Sequence, residues 1–249
     1  MDIAIFSATQ RCGSTLVQRI FNLHPRTLVW GECGRFPDIF HALLEATSYW
    51  SQSGAAEREQ YFKNSKPVDL FIANMAPEQQ VAVHAIQHAL STFCKEMFHR
   101  APYTRFGFKE VNISPGAVEL FRSTFPDCTS VFLSRDPWES WRSLPRVWGI
   151  SIDQFSETWV VNTSHYMLQR NFFWYEDVVA LGPGLARLCE LAQIEEVTAL
   201  RALHSVVGST HVAEKNSKTE MEKSTLIETI RLKANSTALR AMQEKIAYL

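Results

Sequence analysis

Apolar residues fall along the chain in two rhythms. Ile3-Ala4-Ile5-Phe6 is an unbroken apolar run of the length expected for a strand buried on both faces. A polar stretch, Ser7 to Gly13, follows it, and then Ser14 to Asn22, where Leu16, Ile20 and Leu23 recur at helical spacing while Arg19 and Asn22 point elsewhere. The pattern predicts strand, loop, helix. Pro25 closes that unit, and Thr27-Leu28-Val29-Trp30 reads as a second short strand.

Residues 37–50 read as an aromatic-rich helix with Phe36, Phe40, Leu43 and Leu44 on its apolar face. From Ser51 to Pro67 the chain turns polar, with Gly54, Glu57, Arg58 and Glu59, and is read as a mobile lid or connection. Helical spacing returns from Pro77 to Phe98 through Val81, Ile86, Leu90, Phe93 and Met97. Arg105 to Val111 has the aromatic content of a strand and ends at Asn112 and the turn Ser114-Pro115-Gly116. Val131 to Ser134 reads as a buried strand stopped by Arg135-Asp136-Pro137, with Pro137 suited to the first turn of a helix. Helices are predicted over 153–170, with Phe155, Trp159, Tyr166 and Leu168, over 185–194, and at the end over 238–249; residues 208–223 read as a polar loop. Strands separated by helical segments predict an α/β fold, a central parallel sheet with helices on both faces, as a single domain over 1–249.

Composition supports a globular core: 46% of the 249 residues are apolar and 12% aromatic. With 25 basic against 26 acidic residues and a net charge of −1, nothing draws the molecule toward DNA, RNA or an anionic polymer, so a neutral or modestly charged partner is expected. Cys12, Cys33, Cys94, Cys128 and Cys189 are odd in number and form no C-x-x-C pair, which argues against a disulfide framework or a zinc site and for reduced thiols in the cytoplasm. His84 and His88 lie one helical turn apart, but no H-E-x-x-H pattern surrounds them, and no metal is expected. No targeting or membrane-spanning segment is read from the chain.

Chemistry concentrates first in the loop at 7–15. A loop between a buried strand and a helix turns backbone N–H groups and the positive end of the helix dipole toward one point, which favours an anion. Gly13 admits close approach of a ligand, Ser14 and Thr15 add hydroxyls, and Arg11 adds a guanidinium suited to phosphate or sulfate oxygens. Cys12 fits as a small residue filling a tight turn. Against the nucleotide-triphosphate pattern G-x-x-x-x-G-K-[ST], Ala8 replaces the first glycine and Ser14 the lysine, which weakens an ATP or GTP reading.

Arg11-Cys12-Gly13-Ser14-Thr15, followed by Asn22-Leu23-His24-Pro25 and Gly31-Glu32, resembles the opening of sulfotransferases that use 3′-phosphoadenosine-5′-phosphosulfate (PAPS), most of all the protein-tyrosine sulfotransferases. The resemblance extends to about residue 195. It implies that Arg11, Cys12, Gly13, Ser14 and Thr15 hold the 5′-phosphosulfate and that Glu32 removes the acceptor's hydroxyl proton. The alternative is a turn or capping carboxylate, or a partner of Arg35 or Arg11. Asp38, Glu45 and Glu110 are rival acids, and Cys33 stands where the tyrosine enzymes carry a second glutamate.

The resemblance further implies that Lys109 stabilises the leaving phosphate, the alternative being a pair with Glu110 on an exposed edge. Arg135, with Ser143 eight residues later, looks like the family's 3′-phosphate motif; otherwise Asp136 caps a helix with Arg135 as its ionic partner, and Arg142 and Arg146 are weaker candidates. Phe172 to Val179 resembles a late Y-E-D-L segment in which Tyr175 approaches the nucleotide or serves as a core aromatic. Ser217-Lys218, ahead of Glu222-Lys223-Ser224-Thr225, is similar to S-K-x-E-[RK]-S-T with one residue inserted, and is read either as a loop closing over the donor or as a solvated loop. The implied activity is metal-free transfer of a sulfuryl group from PAPS to a hydroxyl of a tyrosyl peptide or of a small alcohol or phenol. A kinase of related fold and a non-catalytic nucleotide-binding module are the alternatives.

Overall fold

The computed structural model describes residues 1–66, 68–69, 72–73, 75–204 and 218–234. In chain order the elements are β1 (Ile3–Ser7), α1 (Ser14–Asn22), β2 (Thr27–Trp30), α2 (Phe36–Ser53), α3 (Ala55–Lys63), α4 (Gln79–Phe98), β3 (Arg105–Val111), α5 (Pro115–Thr124), β4 (Thr129–Ser134), α6 (Pro137–Arg142), α7 (Ile152–Met167), β5 (Phe172–Trp174), α8 (Tyr175–Val179), α9 (Pro183–Ala192), α10 (Glu196–His204) and α11 (Glu220–Lys233). Packing divides them into two compact units, residues 1–35, 98–115 and 127–249 in one and 36–97 with 116–126 in the other.

The larger unit is built on a five-stranded, wholly parallel sheet in the order β2-β3-β1-β4-β5. Its central strand, β1, is the apolar run at the start of the chain together with Ser7, and all five of its residues are buried. Period-two alternation sends Ile3 and Ile5 to one face and Phe6 to the other. On the first face Ile3, Ile5, Val131 and Leu133 pack with Val17, Ile20 and Phe21 of α1, Leu185 and Leu188 of α9, and Ala199 and Ala202 of α10. On the second, Phe6 lies 5.9 Å from Phe108 and 5.6 Å from Phe132 between ring centroids, and Tyr166 of α7 covers Phe132 at 5.1 Å. Each fully buried aromatic or branched side chain contributes about 1.5–3 kcal/mol, so the sheet is held from both sides. A second cluster, with Trp141, Phe155, Trp159, Leu226 and Ile230, joins α6, α7 and α11.

The smaller unit is helical. Phe36 and Phe40 of α2 pack on Phe93 of α4, with centroids 5.2 and 5.7 Å apart, and Gln87 of α4 donates to the Ser123 hydroxyl of α5 at 3.1 Å. The stretch read as a lid or connection carries α3, whose Arg58 donates to the Ser51 carbonyl at 3.2 Å and pairs with Glu78 at 3.6 Å. Ala55, Ala56, Glu57, Arg58, Glu59 and Gln60 are good helix formers, but α3 buries no residue and so lacked the apolar stripe that reveals a helix. Four more helices lay outside the periodicity reading: α5, which begins at the expected turn Ser114-Pro115-Gly116, the short α8, α10, and α11 within and beyond the polar 208–223 segment. The final helix expected over 238–249 lies outside the described residues. Among the described residues no helix is long and apolar enough to cross a membrane.

Strand order marks the end of the sheet where a ligand crevice is expected. The chain leaves β1 toward β2 on one side and leaves β4 toward β5 on the other, so the crevice between these two neighbours opens at their carboxyl ends. The loop at 8–13 and Arg135 occupy those two ends.

Candidate active site

The loop after β1 is pinned from several directions. Ala8 N–H donates to the Leu133 carbonyl at 2.8 Å, Ser7 Oγ to the Thr9 carbonyl at 2.9 Å, and Thr9 Oγ1 lies 3.2 Å from the Cys12 sulfur. Cys12 is fully buried, packs in the α1 core and reaches Ser140 at 3.8 Å, in keeping with a small residue filling a turn. Its thiol, like the other four, is free of disulfides. Asn162 of α7, also buried, donates to the Ala8 carbonyl at 2.9 Å and to Asn112 Oδ1 at 3.4 Å, tying the loop to the end of β3. Periodicity did not single out Asn162; its signal was an amide directly after the apolar run Trp159-Val160-Val161, where a buried amide must find partners.

Two backbone features shape the cradle. Arg11 has φ +67, in the left-handed region that side chains avoid, and such geometry persists where surrounding bonds enforce it. Gly13, at φ +87, is the residue before α1, and a Cβ there would meet the Tyr175 ring at 2.2 Å. Only glycine satisfies both the angle and that contact. The Gly13 carbonyl takes the Leu16 and Val17 amides, and no side chain caps the start of α1. The helix thus presents its first amides and its positive dipole end at Ser14 and Thr15, with Arg11 beside them.

Arg135, directly after β4, meets this loop. Its Nη1 donates to the Arg11 carbonyl at 3.1 Å, its guanidinium lies 4.7 Å from the Tyr175 centroid, and Nη2 approaches Glu139 at 3.7 Å. Its Nε is buried and has no partner among the described residues. A buried charged donor without an acceptor costs roughly 1–3 kcal/mol, a cost an anionic ligand would remove. Tyr175 links the pieces: it packs on Gly13, carries Arg135 on its face, and lies against the α1 core. One side of the Tyr175 ring thus serves as a core aromatic and the other carries Arg135.

The alternative for Arg135 holds in one part only. Asp136 does cap α6, accepting Glu139 N–H at 2.7 Å, and burial pushes its carboxyl up from the ordinary range; but the acid facing Arg135 is Glu139. Glu176 supports the same corner by accepting Asp136 N–H at 3.0 Å. Ser143 stands at the end of α6 and donates to the Ser140 carbonyl at 3.0 Å. Lys218 reaches that helix end too, its Nζ donating to the Trp141 carbonyl and lying 3.8 Å from the Trp141 ring centroid. Burial lowers the Lys218 pKa to about 8, with Glu222 opposing and Arg146 reinforcing the shift. Arg142 and Arg146 pair with Glu139 and Glu222, at 2.7 and 3.7 Å. Ser217 lies outside the described residues.

Glu32 and Lys109 come together. Lys109 sits on β3 opposite Ile5 of β1, only 6% exposed, and its ammonium donates to Glu32 Oε1. Glu32 keeps about half of its side-chain surface open to solvent. Its partner is thus Lys109, neither Arg35 nor Arg11, and Lys109 does not pair with Glu110 at an edge. Glu110 alternates to the opposite face of β3, where its Oε1 accepts the Cys33 and Arg35 amides at 2.8 and 3.1 Å. Burial raises the Glu110 pKa while those two N–H bonds oppose the rise. Cys33, in the glutamate position of the tyrosine enzymes, has a thiol held above its usual pKa, first by burial and then by Glu110 and Glu32.

A cleft of about 430 Å³ opens beside Thr9 and Gln10, with Asn112 on its wall. Among the described residues no cluster of three metal-ligating side chains occurs.

The sequence matches the profile of the sulfotransferase family over residues 4–189. No protein of curated function matches it closely enough to count as a relative. Among solved structures, the sulfotransferase domain from the Synechococcus PCC 7002 olefin synthase aligns with a TM-score of 0.48 and 17% identity, over 93% of this chain and 94% of that one. The family profile runs from β1 into α9, through the loop at 8–13, Glu32, Lys109, Arg135 and Tyr175, and the chain belongs to the sulfotransferase family.

Proposed function

We propose that the chain transfers a sulfuryl group from PAPS to a hydroxyl of an acceptor molecule. The observation that carries this reading is the meeting of Arg135 with the Arg11 loop, through the Arg11 carbonyl and the Tyr175 ring. It offers two adjacent cationic positions for a ligand with phosphates on the 3′ and 5′ oxygens of one ribose. The amides of Ser14 and Thr15, their hydroxyls and Arg11 would take the 5′-phosphosulfate, and Arg135 with Ser143 and Lys218 the 3′-phosphate. Nothing in this set requires a metal.

The acceptor oxygen attacks sulfur and forms the new O–S bond. The bond from sulfur to the bridging phosphate oxygen breaks, and its electron pair stays on 3′,5′-ADP. Glu32, half open to solvent, takes the acceptor's proton. Lys109, nearly buried beside it, neutralises charge gathering on the bridging oxygen, where low solvent access strengthens its field. Their ion pair keeps proton acceptor and electrostatic stabiliser within one contact of each other, so the chemistry asks mainly for positioning.

Calorimetry with 3′,5′-ADP against 5′-AMP tests the reading. The expected outcome is at least tenfold tighter binding of 3′,5′-ADP, a preference that Arg135→Ala removes. Equal affinities would refute the 3′-phosphate assignment, and magnesium-dependent consumption of ATP without response to PAPS would favour a kinase.

A further inference from the structure

Strand β3 lies between the two strands that deliver the chemistry: β1 runs into the loop proposed for the donor, and β2 into the turn that carries Glu32. The end of β3 is tied to both. Toward the loop, Asn112 N–H donates to the Ser7 carbonyl at 2.8 Å, and the Asn162 amide joins Asn112 Oδ1 to the Ala8 carbonyl. Toward the turn, Glu110 Oε1 accepts the Cys33 and Arg35 amides at 2.8 and 3.1 Å, and the Lys109 ammonium donates to Glu32. Successive residues of a strand leave on opposite faces, yet Lys109 and Glu110 end on one turn, the first at a side chain and the second at the backbone.

The turn needs a hold from outside itself. Gly34 and Arg35 stand at φ +75 and +57, two successive left-handed residues, and an arginine keeps that angle only where its surroundings enforce it. Within the turn the Cys33 thiol donates to the Gly31 carbonyl at 3.4 Å, a weak bond. The Glu110 carboxylate supplies stronger ones, since hydrogen bonds to an ionised acceptor exceed those between neutral groups. With 1% of its surface exposed and one oxygen committed to two amides, Glu110 is a poor candidate to meet an acceptor molecule itself.

We infer that Glu110 is a positioning residue for the transfer: through the Cys33 and Arg35 amides it fixes where the Glu32–Lys109 pair stands relative to the loop after β1. Without that acceptor the turn relaxes and carries Glu32 with it, while Asn112 and Asn162 still hold the loop. The loss then falls on the chemical step and not on donor binding. A displacement of about 1 Å in a reacting group is enough to cost roughly a hundredfold in rate. The assignment rests on the sulfotransferase reading given above, through the role proposed there for Glu32, and the test keeps the two apart.

Glu110→Gln and Glu110→Met separate the acceptor from the charge: both remove the charge, and glutamine alone keeps an oxygen for the two amides. Each is assayed with PAPS and 2-naphthol, with sites counted by 3′,5′-ADP titration so that unfolded protein does not enter kcat. The expected result is a kcat at least tenfold lower in Glu110→Met at an unchanged KM for PAPS. In Glu110→Gln, kcat stays within about threefold of wild type and the acid limb of its pH profile stays in place. Equal losses in the two variants, or an acid limb displaced in Glu110→Gln, would mean that Glu110 itself titrates in the reaction and overturn the inference; so would a kcat kept in Glu110→Met. Should Glu110→Met not fold, Glu110→Asp, one methylene shorter, takes its place with the same expected loss. Where the wild type transfers nothing, the Lys109 ammonium resonance in ¹⁵N-lysine-labelled protein decides. A shift in Glu110→Met that Glu110→Gln does not show upholds the hold on the Glu32–Lys109 pair even though the sulfotransferase reading falls; equal shifts, or none, overturn it.

Discussion

Glu32 and Glu110 are carboxylates carried at the ends of two adjacent strands, and their surroundings give them opposite work. Glu110 is almost wholly buried and spends one oxygen on two backbone amides, those of Cys33 and Arg35, so it braces the turn that Glu32 stands on. Glu32 bonds to Lys109 and keeps an open side toward solvent. Removing each should therefore be felt in a different measurement. If Glu32 is the base, as proposed, Glu32→Gln keeps the shape and removes it: turnover falls by roughly a hundredfold or more while 3′,5′-ADP binding stays near wild type. Glu110→Ala leaves two amides of a buried turn without their acceptor, at about 1–3 kcal/mol, and lowers the melting temperature. Should Glu32→Gln turn over normally, the base is another carboxylate.

The elements that hold the site differ in how plainly the sequence announces them. β1 and β4 are apolar runs bounded by turn residues, and Pro137 at the first position of α6 with Asp136 as its cap is a start signal that side-chain bonding realises. The pairing of Glu32 with Lys109 was less legible, because it joins residues 77 apart through a strand order, 2-3-1-4-5, that periodicity does not contain. α11 is announced by its cap rather than by an apolar stripe. Its apolar contacts are few, Leu226 and Ile230 being its buried residues, but Thr219 and Glu222 form a reciprocal capping box, with Glu222 N–H donating to Thr219 Oγ1 at 3.2 Å and Thr219 N–H to Glu222 Oε2 at 2.7 Å. Scanning for T-x-x-E would have found the helix start inside a stretch read as loop. Thr219→Ala removes that cap and should lower stability by about 1 kcal/mol, or roughly 2–4 °C in thermal unfolding. An unchanged melting temperature would mean that packing against α7, rather than the cap, holds α11 in place.

At the scale of the whole chain, the candidate donor site draws on residues near both ends: Arg11 to Thr15 after the first strand, Arg135 to Ser143 in the middle, Tyr175 beyond β5, and Lys218 just before α11. Lys218 gives this assembly a pH dependence. Its ammonium is held against the Trp141 ring and carbonyl, and burial lowers its pKa from 10.5 to about 8. The sign follows from proton counts. Between about pH 8 and 10.5 the unfolded chain holds a proton at this site that the folded one has lost, so Lys218 opposes folding fully below pH 8, and its penalty fades as pH rises toward 10.5. A 3′-phosphate beside it acts in the other direction, favouring the charged amine and raising its pKa on binding. Binding of 3′,5′-ADP above pH 8 should accordingly take up a proton, and its affinity should weaken from pH 7 to pH 9. Titrations in buffers of different ionisation enthalpy read that proton directly, and Lys218→Met should abolish the uptake and flatten the profile. Uptake that persists in Lys218→Met would mean that another group takes up the proton and that the 3′-phosphate lies away from the end of α6.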